Sequence, residues 1–201
     1  MSPTSDSSSQ PVDAEKKLED AGVSSEDLAM RRAALTQVRQ FGDPVLRSDT
    51  RPIEVFDENV KAQAERMIRL MDEAFGIGLA APQIGVSNRL LVYRVGDISP
   101  VVLANPEIEW SSEDSESFEE GCLSLANVQV DVDRPIHVRV TGQDASGDRV
   151  RIEASGLNAR VIQHEMDHLD GILILDRASK DQRKAALRGL REAEDQVGYA
   201  A

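Results

Sequence analysis

Two histidines lie four residues apart in His164-Glu165-Met166-Asp167-His168. On a helix, side chains four positions apart share one face with Cβ atoms about 6 Å apart, so both imidazoles can bind one metal ion. Glu165 between them is placed to act on water at that ion. The alternative is that both are solvent-facing or capping histidines of an ordinary helix. Because the pattern is rare by chance and the chain holds three histidines, metal binding is favoured.

A catalytic metal centre of this kind needs a third protein ligand and an open position for water. Cys122, the single cysteine, follows Glu119-Glu120-Gly121 in a loop-like approach to a strand, where its thiol can face the helix. The alternative for Cys122 is a small buried apolar side chain. His137 is the rival ligand, although its alternation with Ile136 and Val138 is more typical of a surface histidine on a strand. The residues alone leave both candidates open.

A third segment, Gly76-Ile77-Gly78-Leu79-Ala80-Ala81-Pro82-Gln83, matches the G-x-G-x-x-G/A pattern of dinucleotide-binding proteins. Its context excludes that function, since a helical pattern precedes it where a strand is required and Pro82 blocks a following helix. The remaining functional interpretation is a loop whose missing side chains let its backbone approach a ligand, with Gln83 as a polar donor. The alternative is a tight turn without a ligand.

Hydrophobic periodicity indicates the elements that must position these residues. Apolar residues over 60–71 follow the 3.6-residue period of an amphipathic helix that should end near Gly76. A second helix is predicted over 157–169, with Gly171 as its left-handed C-terminal cap. A third, largely solvated helix is predicted over 180–196. Strands are predicted over 90–95, 101–104, 128–132, 136–141, 150–152 and 172–175. This order indicates an α+β fold.

Composition narrows the classes of function. The chain has 201 residues, and 23 Lys and Arg against 36 Asp and Glu give a formal net charge of −13. That charge argues against a nonspecific DNA binder or a binder of anionic membranes. No apolar run approaches the roughly 18 residues of a membrane-spanning helix. A single cysteine and the lack of a signal segment predict a protein of the reducing cytoplasm.

The same features predict the domain organisation. Residues 1–34 begin serine-rich and then acidic, which is typical of a disordered extension. One catalytic domain is expected over residues 35–178, a length that suits a single core. A C-terminal helix and tail are expected over residues 179–201.

Three segments together resemble the signature motifs of peptide deformylases. They are G-Φ-G-Φ-A-A-P-Q at residues 76–83, E-G-C-Φ-S at 120–124 and Q-H-E-Φ-D-H-L at 163–169, where Φ is apolar. The resemblance extends from about residue 38 to residue 176. One departure is the segment Leu-Ala-Asn-Val-Gln after the second motif, where the family often has a proline and a downstream arginine. Peptide contacts beyond the first substrate residue are therefore expected to differ.

The resemblance implies an α+β fold in which antiparallel or mixed sheet surrounds a central metal-binding helix. It implies that Cys122, His164 and His168 bind Fe²⁺, for which zinc, nickel or cobalt can substitute. The implied enzyme is a metal-dependent hydrolase. It removes the formyl group from the N-terminal formyl-methionine of newly synthesised polypeptides and releases formate.

The resemblance also implies a role for individual residues. Glu165 takes a proton from water and delivers it to the leaving amine. Gln83 and the backbone N–H of Leu123 donate hydrogen bonds to the developing oxyanion. Gly78 aligns the peptide through backbone hydrogen bonds, as in strand addition. The pocket for the methionine side chain is assigned to Ile77, Leu157 and Val161.

The expected partners are N-formylmethionyl nascent peptides. The resemblance also implies transient ribosome contact, for which basic residues of the last helix are candidates; the alternative is a solvated helix whose acidic residues nearly cancel that charge. Neither DNA nor membrane is expected as a partner, and the protein is expected to be a monomer. One alternative function is a metallopeptidase of the H-E-x-x-H type, which usually finds its third ligand downstream, but no histidine follows His168. Another is a homologue that binds peptides without turnover, against which the intact Glu165 and Gln83 argue.

Overall fold

Residues 14–198 are described in the computed structural model of this chain. The strands are β1 (Gly78–Ala80), β2 (Leu90–Tyr93), β3 (Val101–Ser111), β4 (Ser115–Cys122), β5 (Leu125–Pro135), β6 (His137–Gln143) and β7 (Arg149–Ser155). The helices are α1 (Ala14–Asp20), α2 (Ser25–Leu35), α3 (Glu58–Glu73), α4 (Leu157–Leu169), α5 (Ile174–Arg177) and α6 (Lys180–Gly198), with short 3₁₀ turns at Pro44–Arg47 and Ala81–Ile84.

The strands form two antiparallel sheets. Five of them are ordered β1-β2-β3-β6-β7, and β4 pairs with β5 in a separate two-stranded sheet. Helix α4 packs against β1, β2 and β7 of the larger sheet and against β5 of the smaller one. The predicted α+β class with antiparallel sheet is confirmed, and α4 lies between the two sheets where both can supply it with partners.

Helix α3 forms because its apolar residues make one stripe. Its buried residues are Val60, Ala64, Met67, Leu70 and Met71, and they pack on the larger sheet. The helix ends at Glu73, and the chain turns at Phe75, whose φ of 58° is left-handed. The prediction of a helix ending near Gly76 is confirmed, although Phe75 rather than the glycine takes the left-handed conformation.

Helix α4 has the predicted bounds, and Gly171 follows it with a left-handed φ of 68°. A Cβ at Gly171 would lie 2.9 Å from the carbonyl of Arg47, so a glycine is needed for both conformation and space. The predicted strands around α4 are present. Several are longer than predicted: β3 continues to Ser111 through mostly exposed residues, and β5 begins at the buried Leu125.

Two predictions are wrong. The segment 172–175 is not a strand, since residues from Ile174 form the short helix α5 and the carboxylate of Asp176 accepts a hydrogen bond from Leu173 N–H. Its apolar run reflects burial on several sides. The disordered extension predicted over 1–34 is wrong for residues 14–34, which form α1 and most of α2. Leu28 of α2 is buried, and the Ser24 side chain caps this helix. Residues 1–13 lie outside the described part of the chain.

Helix α6 confirms the predicted C-terminal helix. Its Ala186, Leu187 and Leu190 are partly buried against the core beneath β5, while its basic side chains face solvent. No helix within residues 14–198 is both long and apolar enough to cross a lipid bilayer.

Candidate metal centre

A thiol and two imidazoles meet where α4 faces the two-stranded sheet. Cys122 ends β4, and His164 and His168 lie one turn apart on α4. Their ligand atoms all lie within 4.8 Å of one another. The sulfur of Cys122 is 3.2 Å from Nε2 of His168, and the two imidazole rings stand edge to face with centroids 5.0 Å apart. One sulfur and two nitrogens converging on a point form a donor set that suits first-row divalent metals.

The end of β4 explains how Cys122 reaches the helix. The pairing of β4 with β5 is regular as far as Gly121 and then shifts, so that Cys122 pairs with Leu125. Such irregularities re-aim a side chain. Two hydrogen bonds from the segment before the first 3₁₀ turn hold the turn that follows. Phe41 N–H donates to the carbonyl of Ser124 over 2.8 Å, and the Gln40 side chain donates to the carbonyl of Leu123 over 3.1 Å.

Glu120 forms a hydrogen bond with the ring nitrogen of His164 that points away from Cys122 and His168. Its Oε2 is 3.0 Å from Nδ1 of His164, which leaves the other ring nitrogen toward Cys122 and His168. Although burial alone would raise the pKa of Glu120, hydrogen bonds from His164 and Arg134 lower it to about 2. The carboxylate is therefore ionised at neutral pH and fixes both the tautomer and the orientation of the imidazole.

His168 is fully enclosed. Burial, followed by the neighbouring charge of His164, lowers the pKa of His168 well below its usual range. Its Nδ1 has no hydrogen-bond partner within residues 14–198, so it is the ring nitrogen Nε2 that faces Cys122. A neutral imidazole is the form that binds a metal.

Glu165 lies beside this cluster and is 4% exposed. Burial raises the pKa of Glu165 to about 7, although the positive charges of His164 and Arg134 oppose this. Its Oε2 is buried and has no hydrogen-bond partner in the described part of the chain. A carboxyl group with a pKa near neutrality and an unused oxygen is suited to accepting and returning a proton.

Gly78 on β1 makes room for this carboxyl group. A Cβ added at Gly78 would overlap the Glu165 side chain and lie 2.8 Å from its Cδ. The glycine is thus required by close approach, since its backbone does not adopt a left-handed conformation.

Gln83 faces the same cluster from the loop after β1 and is 1% exposed. Its Oε1 accepts from Ala80 N–H over 2.8 Å, which fixes which end of the amide faces outward. Its Nε2 then lies 3.1 Å from Ser124 Oγ and 3.6 Å from Cys122 Sγ. The structure therefore places an oriented amide N–H group beside the sulfur.

The structure separates the other candidates from this cluster. His137 lies exposed on β6, where its Nδ1 is 2.8 Å from Ser155 Oγ, and it is not among the converging ligand atoms. Of the residues assigned to a pocket, Ile77 and Leu157 are 45% and 49% exposed, whereas Val161 is buried.

Sequence reasoning did not identify Glu120, Arg134 or Asp167 as parts of the site. Arg134 is only 4% exposed and bonds both carboxylates. A signal was available, because Arg134 continues the two-residue period of buried valines at 128, 130 and 132 on β5. A charge on the apolar face of a strand requires a buried partner of opposite charge.

The chain is similar in sequence and in structure to known peptide deformylases. The polypeptide deformylase family profile matches residues 35–184. A peptide deformylase of Thermotoga maritima is 47% identical over 147 residues, which cover 73% of this chain and 89% of that protein. One of Parafrankia sp. is 42% identical over 161 residues, covering 80% and 88%. The crystal structure of a Legionella pneumophila peptide deformylase superposes with a TM-score of 0.75 at 37% identity, covering 80% of this chain and 96% of that chain. That of a Synechococcus elongatus peptide deformylase in complex with actinonin gives 0.72 at 41% identity, covering 75% and 83%.

Proposed function

This chain belongs to the polypeptide deformylase family, and from that premise we propose that the cluster of Cys122, His164 and His168 is its catalytic centre. As a peptide deformylase, it removes the formyl group from the N-terminal methionine of new polypeptides and releases formate. The observation that carries the assignment is the convergence of three ligand atoms within 4.8 Å.

The donor set fits a divalent metal ion. Cys122, His164 and His168 would hold it, and Glu120 leaves the ligand nitrogen of His164 free by occupying its Nδ1. We propose Fe²⁺ on the family resemblance, with zinc, nickel or cobalt as substitutes, because thiolate and imidazole ligands suit several of these ions. When bound, the ion supplies Lewis-acid chemistry that polarises the formyl carbonyl and makes water a better nucleophile.

Glu165 moves the proton in this mechanism. Its raised pKa, about 7, lets the carboxylate accept a proton from the attacking water and later deliver it to the leaving amine. The oxygen Oε2, which has no partner in the described residues, is the atom available for this transfer. Because burial rather than a hydrogen bond sets this pKa, the group can change its protonation state without breaking a contact.

Gln83 and Leu123 stabilise the negative charge that develops on the formyl oxygen. The Gln83 amide is oriented by Ala80 N–H before substrate arrives, and its Nε2 faces the centre. The backbone N–H of Leu123 adjoins Cys122 and is the second proposed donor. A preorganised donor of this kind lowers the barrier by about 3 kcal/mol.

The substrate lies along β1 in this proposal. β1 is an edge strand of the larger sheet, so an extended peptide can pair with its backbone at Gly78. The methionine side chain then enters a pocket formed by Ile77, Leu157 and Val161. The exposed surfaces of Ile77 and Leu157 support this role, since an apolar side chain gains by covering them.

Partners and location follow from the reaction. A groove of about 400 Å³ on α6 is lined by Leu187 and by five basic residues, Lys180, Arg183, Lys184, Arg188 and Arg191. In a chain of net charge −13, this positive surface supports transient contact with the polyanionic ribosome, where formylated chains emerge. A monomer is proposed because the donor set of the centre is complete within one chain, and a cytoplasmic location is proposed because a single cysteine suits a reducing compartment.

The test is formate release from a formyl-methionine dipeptide by protein purified anaerobically with Fe²⁺. His168→Ala should abolish both iron retention and formate release. His137→Ala is the matched control and should preserve both, since His137 lies outside the cluster. Cleavage of casein without formate release would instead indicate a metallopeptidase. Iron binding with neither product would indicate a homologue that only binds peptides.

A further inference from the structure

Buried charged groups continue behind the metal ligands. Glu120 receives four hydrogen bonds: Oε1 accepts from Arg134 Nε and Arg160 Nη1, and Oε2 accepts from Arg134 Nη2 and His164 Nδ1. These distances lie between 2.6 and 3.0 Å. Two oxygens offer about four lone-pair positions, so the carboxylate of Glu120 has no freedom left. Its orientation, and hence that of His164, is set by where Arg134 and Arg160 stand.

Arg134 is itself held by a second carboxylate. Its Nη1 donates to Oδ2 of Asp167 over 2.9 Å, and both side chains are at least nine-tenths buried. Asp167 lies on α4, three residues after His164. The same helix thus carries a ligand histidine and the carboxylate that fixes the arginine behind it.

Arg177 of α5 is the outermost residue of this hydrogen-bonded network. Its Nη2 donates to Oδ1 of Asp167 over 2.6 Å and its Nε to Oδ2 over 3.2 Å, while 45% of its side chain remains exposed. Asp167 is therefore bonded on both oxygens. The path from solvent to the metal ligand runs through Arg177, Asp167, Arg134, Glu120 and His164.

The charges along this path balance only while every member is present. The two buried carboxylates of the path, Glu120 and Asp167, are balanced by buried Arg134 and by buried Arg160, which lies beside the path and bonds to Glu120. Removing the charge of Asp167 leaves one excess positive charge in the interior, which draws Arg134 and Glu120 into a new arrangement. Oε2 of Glu120 then loses its alignment with Nδ1 of His164.

We infer that Asp167 and Arg177 are positioning residues for the metal centre, an inference that rests on the proposed function. They act through Arg134 and Glu120 to hold the ligand nitrogen of His164. The loss expected is in metal retention, because partners behind a ligand change metal affinity by about 10- to 100-fold.

The test uses Co²⁺ as the probe. Its release into excess chelator is timed, and its thiolate-to-cobalt absorption band reports the ligand geometry. Asp167→Asn should release Co²⁺ about tenfold faster than wild type and shift the band. Asp170→Asn is the control, since Asp170 directly follows α4 and pairs with an arginine, Arg89, over 2.6 Å but is not bonded to Arg134 or Glu120. It should leave both readouts unchanged.

Arg177→Gln keeps the proposal testable if Asp167→Asn fails to fold, because Arg177 lies half-exposed at the surface. It should speed Co²⁺ release by a smaller factor, and Arg177→Lys should restore part of the loss. Arg89→Gln is its control. Unchanged release and absorption in the variants, with only a lower urea midpoint, would overturn the positioning role and leave a structural one. Absence of the thiolate band from wild type would instead overturn the proposed function.

Discussion

Helices α3 and α4 pack on the same sheet but are built by opposite rules. Helix α3 buries five of its sixteen residues, all apolar and all on one stripe, and a side chain at Asp57 caps its first turn. Helix α4 buries ten of its thirteen residues, and half of those are polar or charged. Gly156, which directly precedes α4 at the N-cap position, offers no side-chain cap. An apolar stripe and a side-chain cap therefore stabilise α3, whereas the buried polar residues of α4 depend on partners in other elements of the fold.

This difference between the helices separates residues that stabilise the fold from residues suited to chemistry. A polar group inside a protein is costly unless it is hydrogen-bonded, and most of those on α4 are paired. Asp167 and Arg160 bond to other elements of the fold. Glu165 and His168 are the exceptions, since one carboxylate oxygen of Glu165 and Nδ1 of His168 have no partner in the described residues. In the proposed mechanism the unpaired oxygen of Glu165 exchanges a proton with water and the leaving amine, which would account for an unpaired polar atom at this position.

The largest expected effect is at this carboxyl group. Glu165→Gln should lower the rate of formate release by about a thousandfold, because an amide cannot accept the proton of water. The free energy of unfolding should stay unchanged or rise, since a buried charge is replaced by a neutral group of similar size. Single-turnover formate release and urea unfolding measure the two effects. A variant that loses both activity and stability would contradict the separation drawn between the two helices.

A large-to-small substitution in the core of α3 should lower stability and preserve activity. Met67 is fully buried in the stripe, so Met67→Ala should lower the free energy of unfolding by about 2–5 kcal/mol. Formate release per folded molecule should be preserved, because no atom of α3 belongs to the centre. Met30→Ala is the control, since this methionine is 42% exposed and its loss leaves no cavity. Strongly reduced activity in folded Met67→Ala would show that α3 also positions the centre.

The contact between β1 and α4 gives the next largest effect. Gly78→Ala places a Cβ against the Glu165 carboxyl group and should displace it, at a cost of about a hundredfold in rate. Co²⁺ binding should be retained, because the three ligands lie elsewhere. Gly189→Ala in α6 is the control, since a Cβ there meets no atom within 4 Å. Normal activity in Gly78→Ala would mean that Glu165 does not need its observed position.

These contrasts also explain what the sequence could predict. The bounds of α4 and the stripe of α3 follow from local spacing, and the ligand candidates follow from the rarity of cysteine and histidine. Strand β4 was not predicted from periodicity, because its exposed residues Ser115, Ser117 and Glu119 resemble a loop. The start of α5 is predicted as a strand for the opposite reason, because residues 172–175 are all apolar. The pairing of Arg134 with Glu120 spans 14 residues and depends on sheet register, which local patterns do not contain.

The smallest expected effect is at the cap of α3. Oδ1 of Asp57 accepts from Asn59 N–H over 2.9 Å and from Val60 N–H over 3.2 Å. The hydrogen bond from the Asn59 side chain, together with that from Val60 N–H, lowers the pKa of Asp57 below its usual value of 3.8. Asp57→Ala should therefore lower the melting temperature slightly at neutral pH, because α3 loses its cap.

The pH dependence of this loss tests its cause. A carboxyl group whose pKa is lower in the folded state stabilises the protein above its unfolded pKa and loses that effect as pH falls through the folded value. The gap between wild type and Asp57→Ala should thus be constant from neutral pH to about pH 5 and shrink below about pH 4. Asp57→Asn, a neutral cap, should show no such change relative to Asp57→Ala. A gap that persists in acid would assign the effect to helix propensity rather than to the ionised cap. Helix α4 offers no equivalent substitution, because its first turn is held by the surrounding fold and not by a side chain of its own.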